Sequence, residues 1–529
     1  MAQTVDVIVI GAGINGMVAA AEIARGGRSV LLIDGNDRIG GFIESSERTV
    51  PGYLHDVFSS WHPLFVSGGG YAALGEELRQ HGLRYANTDA AVTASVSAAD
   101  RVAIAYRDPK QTAAELSVTS DRSAYLRMLD DFGAYADTVF GALGTELRSR
   151  AAFGLGWKLL RKNRIRGAER LLREVAMSGR AYVRSRFDGW DVDQLWTPWL
   201  LHAGLGPDQA SGGIMFPVMA LTMHGFGLPV VAGGAGRFID AFASVLADHA
   251  VEVRLGTPVD RILVEGGRAV GVQVGADTVL ARSAVLASVG PRALYEQLLP
   301  GTAVPPRVQR EAARYRPGRA AMQIHVALDR PMAWADDRLD SIPLVHVTNG
   351  SGSTGIACAQ AEAGLLPTEP TVVVGQQYVL DPSRVPAGAG ALWLQLQEVP
   401  YAPVGDSAGI LDTGDGWDAE LKKRYVDRVL KRVGEFAPSL ESSIVAIDAI
   451  SPTELEAENS NAVHGDPYAG SAELDQNLLW RPIPSAAGHK TAVGNLWHIG
   501  ASTHPGPGLG GGSGHLVAQR ILRQRKKND

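Results

Sequence analysis

Residues 5–10 (VDVIVI) are β-branched and apolar at all but one position, the pattern of a strand buried on both faces of a parallel sheet. The period then changes. Glycines at 11, 13 and 16 lead into an alanine-rich stretch, 17–25, whose apolar residues recur at helical spacing. A second apolar run, 29–33, ends on Asp34. Strand, glycine turn, helix and strand fit within about 30 residues, enough for one βαβ unit. From 121 to 199 the spacing is helical, which predicts a layer of helices.

Beyond residue 232 the runs shorten. Glycines 233, 234 and 236 precede a predicted helix, 237–248, and then strands at 251–254, 258–264, 269–274 and 278–286. Turn residues at 265–268 and 290–291 break them, so they predict a small antiparallel insert returning to the first sheet. Residues 321–403 alternate like strands of a second sheet, and 418–436 repeats as an amphipathic helix. The chain closes on a predicted strand, 496–499, a glycine loop and a helix, 512–523; the charged tail, 524–529, is expected to fray.

Composition narrows the function classes. With 45% hydrophobic and 20% charged residues over 529 positions, the chain is globular, long enough for about three or four compact units. A single cysteine, Cys358, excludes a disulfide framework, a cysteine zinc site and a dithiol redox centre, and fits a reducing, cytoplasmic address. The histidines show no metal-ligand spacing, so no metal is expected. A net charge of −6 argues against nucleic-acid binding. The apolar opening carries Asp6 without a basic flank, so it reads as a strand and not a signal peptide.

Two stretches, 209–236 and 491–519, lack Asp, Glu, Lys and Arg and are long enough to cross a bilayer. Pro217, Pro229, Pro505, Pro507 and many glycines make them poor spanning helices, so they are expected to form buried pocket walls. Residues 148–186 hold twelve Lys/Arg against Glu169 and Glu174. That region is either a solvated helical face or a lid resting peripherally on an anionic membrane.

The chemistry starts at the glycines. Gly11 permits a tight turn, Gly13 lets a diphosphate approach the backbone, and Gly16 lets helix and strand pack closely. Amides at the helix start favour the diphosphate, and Asp34 can accept hydrogen bonds from a ribose diol. Asp34 is followed by Arg38-Ile39-Gly40-Gly41-Phe42, a basic residue ahead of paired glycines.

This stretch resembles the flavoproteins typified by phytoene desaturases and amine oxidases. Residues 497–514 are similar to the closing flavin-contact motif of the phytoene desaturase branch, and 233–236 with 257–262 resemble that family's return to the cofactor domain. The three matches, in the family's order along 5–522, point to a phytoene desaturase-like FAD-dependent oxidoreductase. Carotenoid desaturases and a desaturase-type ketolase belong to that branch of the flavin amine oxidase superfamily.

The resemblance implies an α/β protein with a discontinuous Rossmann-type FAD-binding domain, a mixed-sheet substrate domain and a helical lid. The expected division is 1–95, 231–303 and 486–529 for FAD, and 96–230 with 304–485 for substrate. It also implies non-covalent FAD held by Gly11, Gly13, Ile14, Asn15, Gly16, Asp34, Gly35, Arg38, Gly40, Gly41, Phe42, Ser59, Ser60, Val259, Gly500, Ala501, Leu509, Gly510 and Gly511. Trp61, His224 and Phe226 are candidate substrate contacts, and His504 and His62 candidate catalytic bases. The alternative for each histidine is a neutral ring satisfying backbone groups.

Amine oxidases of the superfamily commonly place a lysine near the flavin, yet no lysine occurs between Lys162 and Lys422. The resulting expectation is hydride removal from a C–H bond of a largely apolar small molecule, with oxygen or a quinone as electron acceptor. An isomerase without net redox change, an amine oxidase and a non-catalytic lipid-binding protein are the alternatives.

Overall fold

The β-branched opening run is the strand Gln3–Ile10 in a computed structural model that describes residues 3–98 and 101–525. It lies inside a seven-stranded sheet in the order Arg261–Glu265, Arg268–Val274, Asp277–Ala287, Gln3–Ile10, Val30–Ile33 and Glu252–Arg254, with Leu496–His498 also on Asp277–Ala287. The pairs around Gln3–Ile10 are parallel; the 261–274 hairpin adds antiparallel strands at the edge. The helix Ile14–Arg25 covers one face, buried over nearly its whole length among Val7, Val9, Leu32 and Phe238. Tyr295 and Leu298 cover the other face. Burial on both faces is what the continuous apolar run predicts.

The second sheet runs Ile444–Ile450, Ala320–Leu328, Gly390–Val399, Val372–Gly375, Leu344–Val347, Ala91–Ser97 and Arg101–Tyr106. All its pairs are antiparallel except Leu344–Val347 with Ala91–Ser97. Alternation sorts its two faces. Val345, Val374, Leu394, Ile324 and Val326 point into one cluster with Leu421, Tyr425, Val429 and Val433 of the helix Ala419–Gly434. Asp418 caps that helix by accepting from the Leu421 amide.

The opposite face meets the helical layer, made of Thr119–Leu143, Gly179–Arg184, Asp191–Leu201 and Gly212–Phe226. The strand Ala91–Ser97 lies wholly in this second sheet, so the expected boundary at residue 95 cuts through a strand. The charge-free 209–236 stretch becomes the mostly buried helix Gly212–Phe226 and the short strand Val230–Val231. Among the described residues no helix is long and apolar enough to cross a membrane. The last helix runs Gly512–Arg525; the rest of the tail, residues 526–529, lies outside the described residues.

Candidate functional site

The strand Gln3–Ile10 delivers the chain into the first glycine turn. Gly11 has φ +94°, and a Cβ there would lie 2.9 Å from the Ser288 carbonyl oxygen. A Cβ on Gly16 would lie 1.9 Å from the Gly11 carbonyl oxygen, so the helix can start this close only with glycine. Gly13 differs: nothing stands within 4 Å of where its Cβ would be, and the turn is open on that side. An open backbone edge at a helix start fits the approach of a diphosphate.

Asp34 braces this turn. Its Oδ2 accepts from the Ala12 amide at 2.6 Å and its Oδ1 from the Asn36 amide at 2.8 Å. The Gly40 amide donates to the Ala12 carbonyl at 2.9 Å, and Arg38 donates to the Gly41 carbonyl while pairing with Glu44. From the other side, the Thr257 amide donates to the Asp34 carbonyl at 2.9 Å. Pro258 thereby sits against Gly35, with Val259 next in the chain.

The closing loop arrives from the strand Leu496–His498, parallel to Asp277–Ala287. Ser513 Oγ accepts from the Gly500 amide at 3.1 Å and lies 2.7 Å from Thr503 Oγ1. Buried Arg481 donates to the Ala501 carbonyl at 2.8 Å and to the Tyr468 carbonyl at 3.0 Å. The loop packs on Leu64, and Gly508 and Gly510 leave it room. The helix Gly512–Arg525 starts against Asn15: the Gly514 amide donates to Asn15 Oδ1 at 3.2 Å. Two helix N-termini, at Ile14 and Gly512, therefore converge, and their dipoles both favour negative charge.

Trp61 connects this region to the second sheet, packing on the cluster of Trp196, Trp199, Phe216 and Trp393. Beside the cluster, the register aligns Ser95, His346, Val373, Gln395 and Gln323 in one row across the sheet. Gln397 donates to Tyr468 Oη at 2.7 Å, and Tyr468 is held in turn by Arg481. The indole nitrogens of Trp61, Trp199 and Trp393 and Oε1 of Gln323 and Gln397 are buried with no partner among the described residues. These are polar groups at an aromatic cluster whose hydrogen-bonding capacity the described residues leave unused.

Not every candidate residue reaches this junction. Ser60 is buried and bonds Asp56, whereas Ser59 is half-buried. His62 sits in the core, edge-on to Phe238 with Nδ1 3.0 Å from Tyr85 Oη, and burial pushes its pKa down to about 4. Its Nε2 is buried with no partner among the described residues. His224 spends Nε2 on Tyr125 Oη and Nδ1 on the Tyr106 carbonyl, both at 2.7 Å, so it is a structural tie. Phe226 is 42% exposed at the end of its helix and lines no inner wall.

His504 does lie in the closing loop, but its Nε2 faces the Ala142 carbonyl at 2.9 Å and burial pushes its pKa down to about 4. Residues that sequence reasoning missed hold the loop instead: Ser288, Arg481, His489 and Glu146. Only Ser288 carried a signal, the turn at 290–291 just after it. Glu146 is distant in sequence from either glycine motif, and Arg481 and His489 precede the closing one by sixteen and eight residues without a motif of their own.

A glycine turn opening a helix on a parallel sheet, beside a second mixed sheet, is the frame of a nucleotide-binding α/β fold with a separate second layer. Residues 14–522 match the family described as flavin containing amine oxidoreductase, and the chain belongs to that family. It is a flavin-dependent oxidoreductase. It is similar to the rat pyridine nucleotide-disulfide oxidoreductase domain-containing protein 2, at 25% identity over 98% of this chain and 94% of the rat protein. It is also similar to the neurosporene-forming phytoene desaturase of Rhodobacter capsulatus, at 25% identity over 97% and 93%. The fold is shared with an oxidoreductase from Methanosarcina mazei, with a TM-score of 0.63 at 14% identity, covering 98% of this chain and 100% of that one.

Proposed function

We propose that the chain binds FAD without a covalent bond and removes hydride from a C–H bond of a largely apolar substrate, giving a C=C or C=O product. The observation that carries this reading is the wall at Trp61, Trp196, Trp199, Phe216 and Trp393, mostly apolar with a few unspent polar groups. Two further facts support it. Cys358, the only thiol, is buried and burial pushes it up to about 12, so it offers no thiolate to a flavin. Lys422, Lys423 and Lys431 lie on the helix that covers the other face of the second sheet, and Lys490 lies over Trp497. Lys110 and Lys158 are exposed, so none of these six lysines stands at the inner wall, where an amine oxidase would place one.

A bound flavin supplies the ring that accepts the hydride. The amides opening the helix Gly512–Arg525 favour the negative charge that follows. The aromatic wall excludes water from the reacting bond. His504 acts here as a positioning residue: its carbonyl accepts from His489 Nε2 at 2.8 Å, which fixes the closing loop. The substrate proton is lost to a pocket base or to water, and oxygen or a quinone takes the electrons.

The test needs no substrate. Purified holoprotein is denatured to see whether FAD leaves in the supernatant, then native protein is photoreduced without oxygen and mixed with aerated buffer. Rapid recovery of flavin absorbance with hydrogen peroxide defines an oxidase; slow recovery, accelerated by a quinone, defines a dehydrogenase. Protein that carries no flavin and takes up none sinks the proposal. Conversion of a polyene without net electron transfer favours the isomerase.

The helix Arg150–Ala176 supports a peripheral membrane contact. Phe153, Trp157, Ile165 and Leu172 on it are 62% to 80% exposed beside its arginines. Flotation with anionic liposomes tests this; protein left at the bottom of the gradient rejects it.

A further inference from the structure

A cavity of about 540 Å³ opens on the cofactor domain away from the glycine turn. Its origin lies in how two strands share one edge. Along Asp277–Ala287, the strand Arg268–Val274 pairs as far as Leu280, and Leu496–His498 pairs only from Val285. Residues 281–284 between them have no strand partner on that edge, which leaves a notch. Backbone hydrogen bonds pin its walls: the Ala269 amide donates to the Gly494 carbonyl at 2.8 Å and the Val285 amide to the Asn495 carbonyl at 2.9 Å.

Four cationic side chains line this notch, Arg28, Arg268, Arg282 and Lys490, and no carboxylate does. Only Arg282 has a carboxylate partner among the described residues, Asp6 at 3.4 Å. Arg268 bonds the neutral Asn495 amide at 2.9 Å. Arg28 reaches only Ser283, at 3.3 Å, and its Nε is buried with no partner. Lys490 stands over the Trp497 ring at 5.8 Å. Asp6 is the one carboxylate set against these four cations among the described residues, pairing with Arg282 and feeling the charge of Arg28, so positive charge is in excess and the guanidinium forks match phosphate oxygens. The volume exceeds what inorganic phosphate needs and lies in the range of small-molecule sites.

We propose that this notch is a binding site for a phosphate-bearing small molecule, separate from the flavin site. The diphosphate of a dinucleotide belongs at Gly11–Gly16, which follows the C-terminal end of Gln3–Ile10, whereas Arg28 precedes the N-terminal end of Val30–Ile33. The two anion sites thus lie at opposite ends of the parallel strands of one sheet. Leu496–His498 runs from the notch directly into the closing loop, so an occupant there would rest against the base of that loop.

The test uses flavin-loaded protein, or the protein as purified if it carries no flavin, titrated calorimetrically with inorganic pyrophosphate and with ADP. Saturable binding of either is expected, weakened about tenfold or more by Lys490→Gln and by Arg268→Gln, given the strength of charge-assisted hydrogen bonds. Lys490→Arg keeps the charge and should retain binding. Both positions are exposed, so the folded state is not at risk. Flavin absorbance stays unchanged in every variant. A parallel arm with phosphatidate vesicles separates sources: binding to vesicles but not to pyrophosphate or ADP reassigns the site to a lipid headgroup. No saturable binding of any of the three, or binding unchanged in both glutamine variants, overturns the proposal. None of these outcomes depends on the redox reaction.

Discussion

His489 Nδ1 lies 2.7 Å from Glu146 Oε2, and the same ring's Nε2 lies 2.8 Å from the His504 carbonyl oxygen. One imidazole therefore joins the chain just after the helix Thr119–Leu143 to the closing loop. Arg520, on the last helix, reaches the same carboxylate at 3.1 Å. Burial pushes the Glu146 pKa up, but the His489 hydrogen bond and nearby positive charge outweigh it, and the net shift is downward. His489→Ala removes the central tie and leaves a buried acceptor unpaired, at about 2 kcal/mol. The expected result is a lower Tm together with faster loss of flavin on desalting. Unchanged flavin retention would mean the tie does not hold the loop.

Gly13→Ala and Gly16→Ala separate binding from folding. A methyl at 13 enters open space, so Tm without flavin stays the same while flavin affinity drops at least tenfold. A methyl at 16 runs into the Gly11 carbonyl and destabilises the fold itself, by about 3 kcal/mol or more. Thermal melts of the flavin-free proteins, with flavin titrations, distinguish the two; equal behaviour contradicts the assigned roles.

Asp34→Ala frees the Ala12 and Asn36 amides at once. The loss of two hydrogen bonds to a charged acceptor is worth about 2 kcal/mol or more. Asp34→Asn keeps one acceptor oxygen and should recover part of it. A melt in which alanine and asparagine behave alike would remove the bracing role.

Acid should weaken the protein well above carboxylate titration. Burial holds His55 and His202 down to about 3, and His62, His498 and His504 to about 4. Each exists protonated in the unfolded chain below about 6.5 but stays neutral in the folded one until about pH 4. The unfolded state binds more protons in that window, so stability is full above it and falls as pH drops. Each histidine adds about 1.4 kcal/mol per pH unit to the slope. Tm measured from pH 8 to 4.5 should be flat at first and then fall steeply below 6.5. A flat profile throughout would show that the rings are not held neutral.

The cofactor half was legible because its signals are local. The 5–16 strand and turn, Asp34, Gly40-Gly41 and the 496–514 strand, loop and helix each carry their own periodicity and turn chemistry. The strand Ala91–Ser97, the first of the second sheet in chain order, is covered by none of the predicted elements: four of its seven residues are alanine or serine, yet sheet pairing buries six of the seven. His62 and His224 read as site residues because a histidine beside a motif shows nothing of its packing. Their hydrogen bonds to Tyr85 and Tyr125 join positions 23 and 99 residues apart. Arg481 and His489 were hidden for the same reason. Their partners are backbone carbonyls in a loop whose shape only the fold defines.

The meeting of the first and last helices also sets an order of events. Asn15 Oδ1 accepts from the Gly514 amide across 499 positions, so the cofactor cradle has its front wall made first and its back wall last. During synthesis the glycine turn leaves the ribosome early, with no partner for its open edge. The helix Gly512–Arg525 meets it only after both sheets have been synthesised, so on the proposed reading flavin capture is a late step. A chain stopped just before Gly512 would hold both sheets and lack the amide that closes on Asn15.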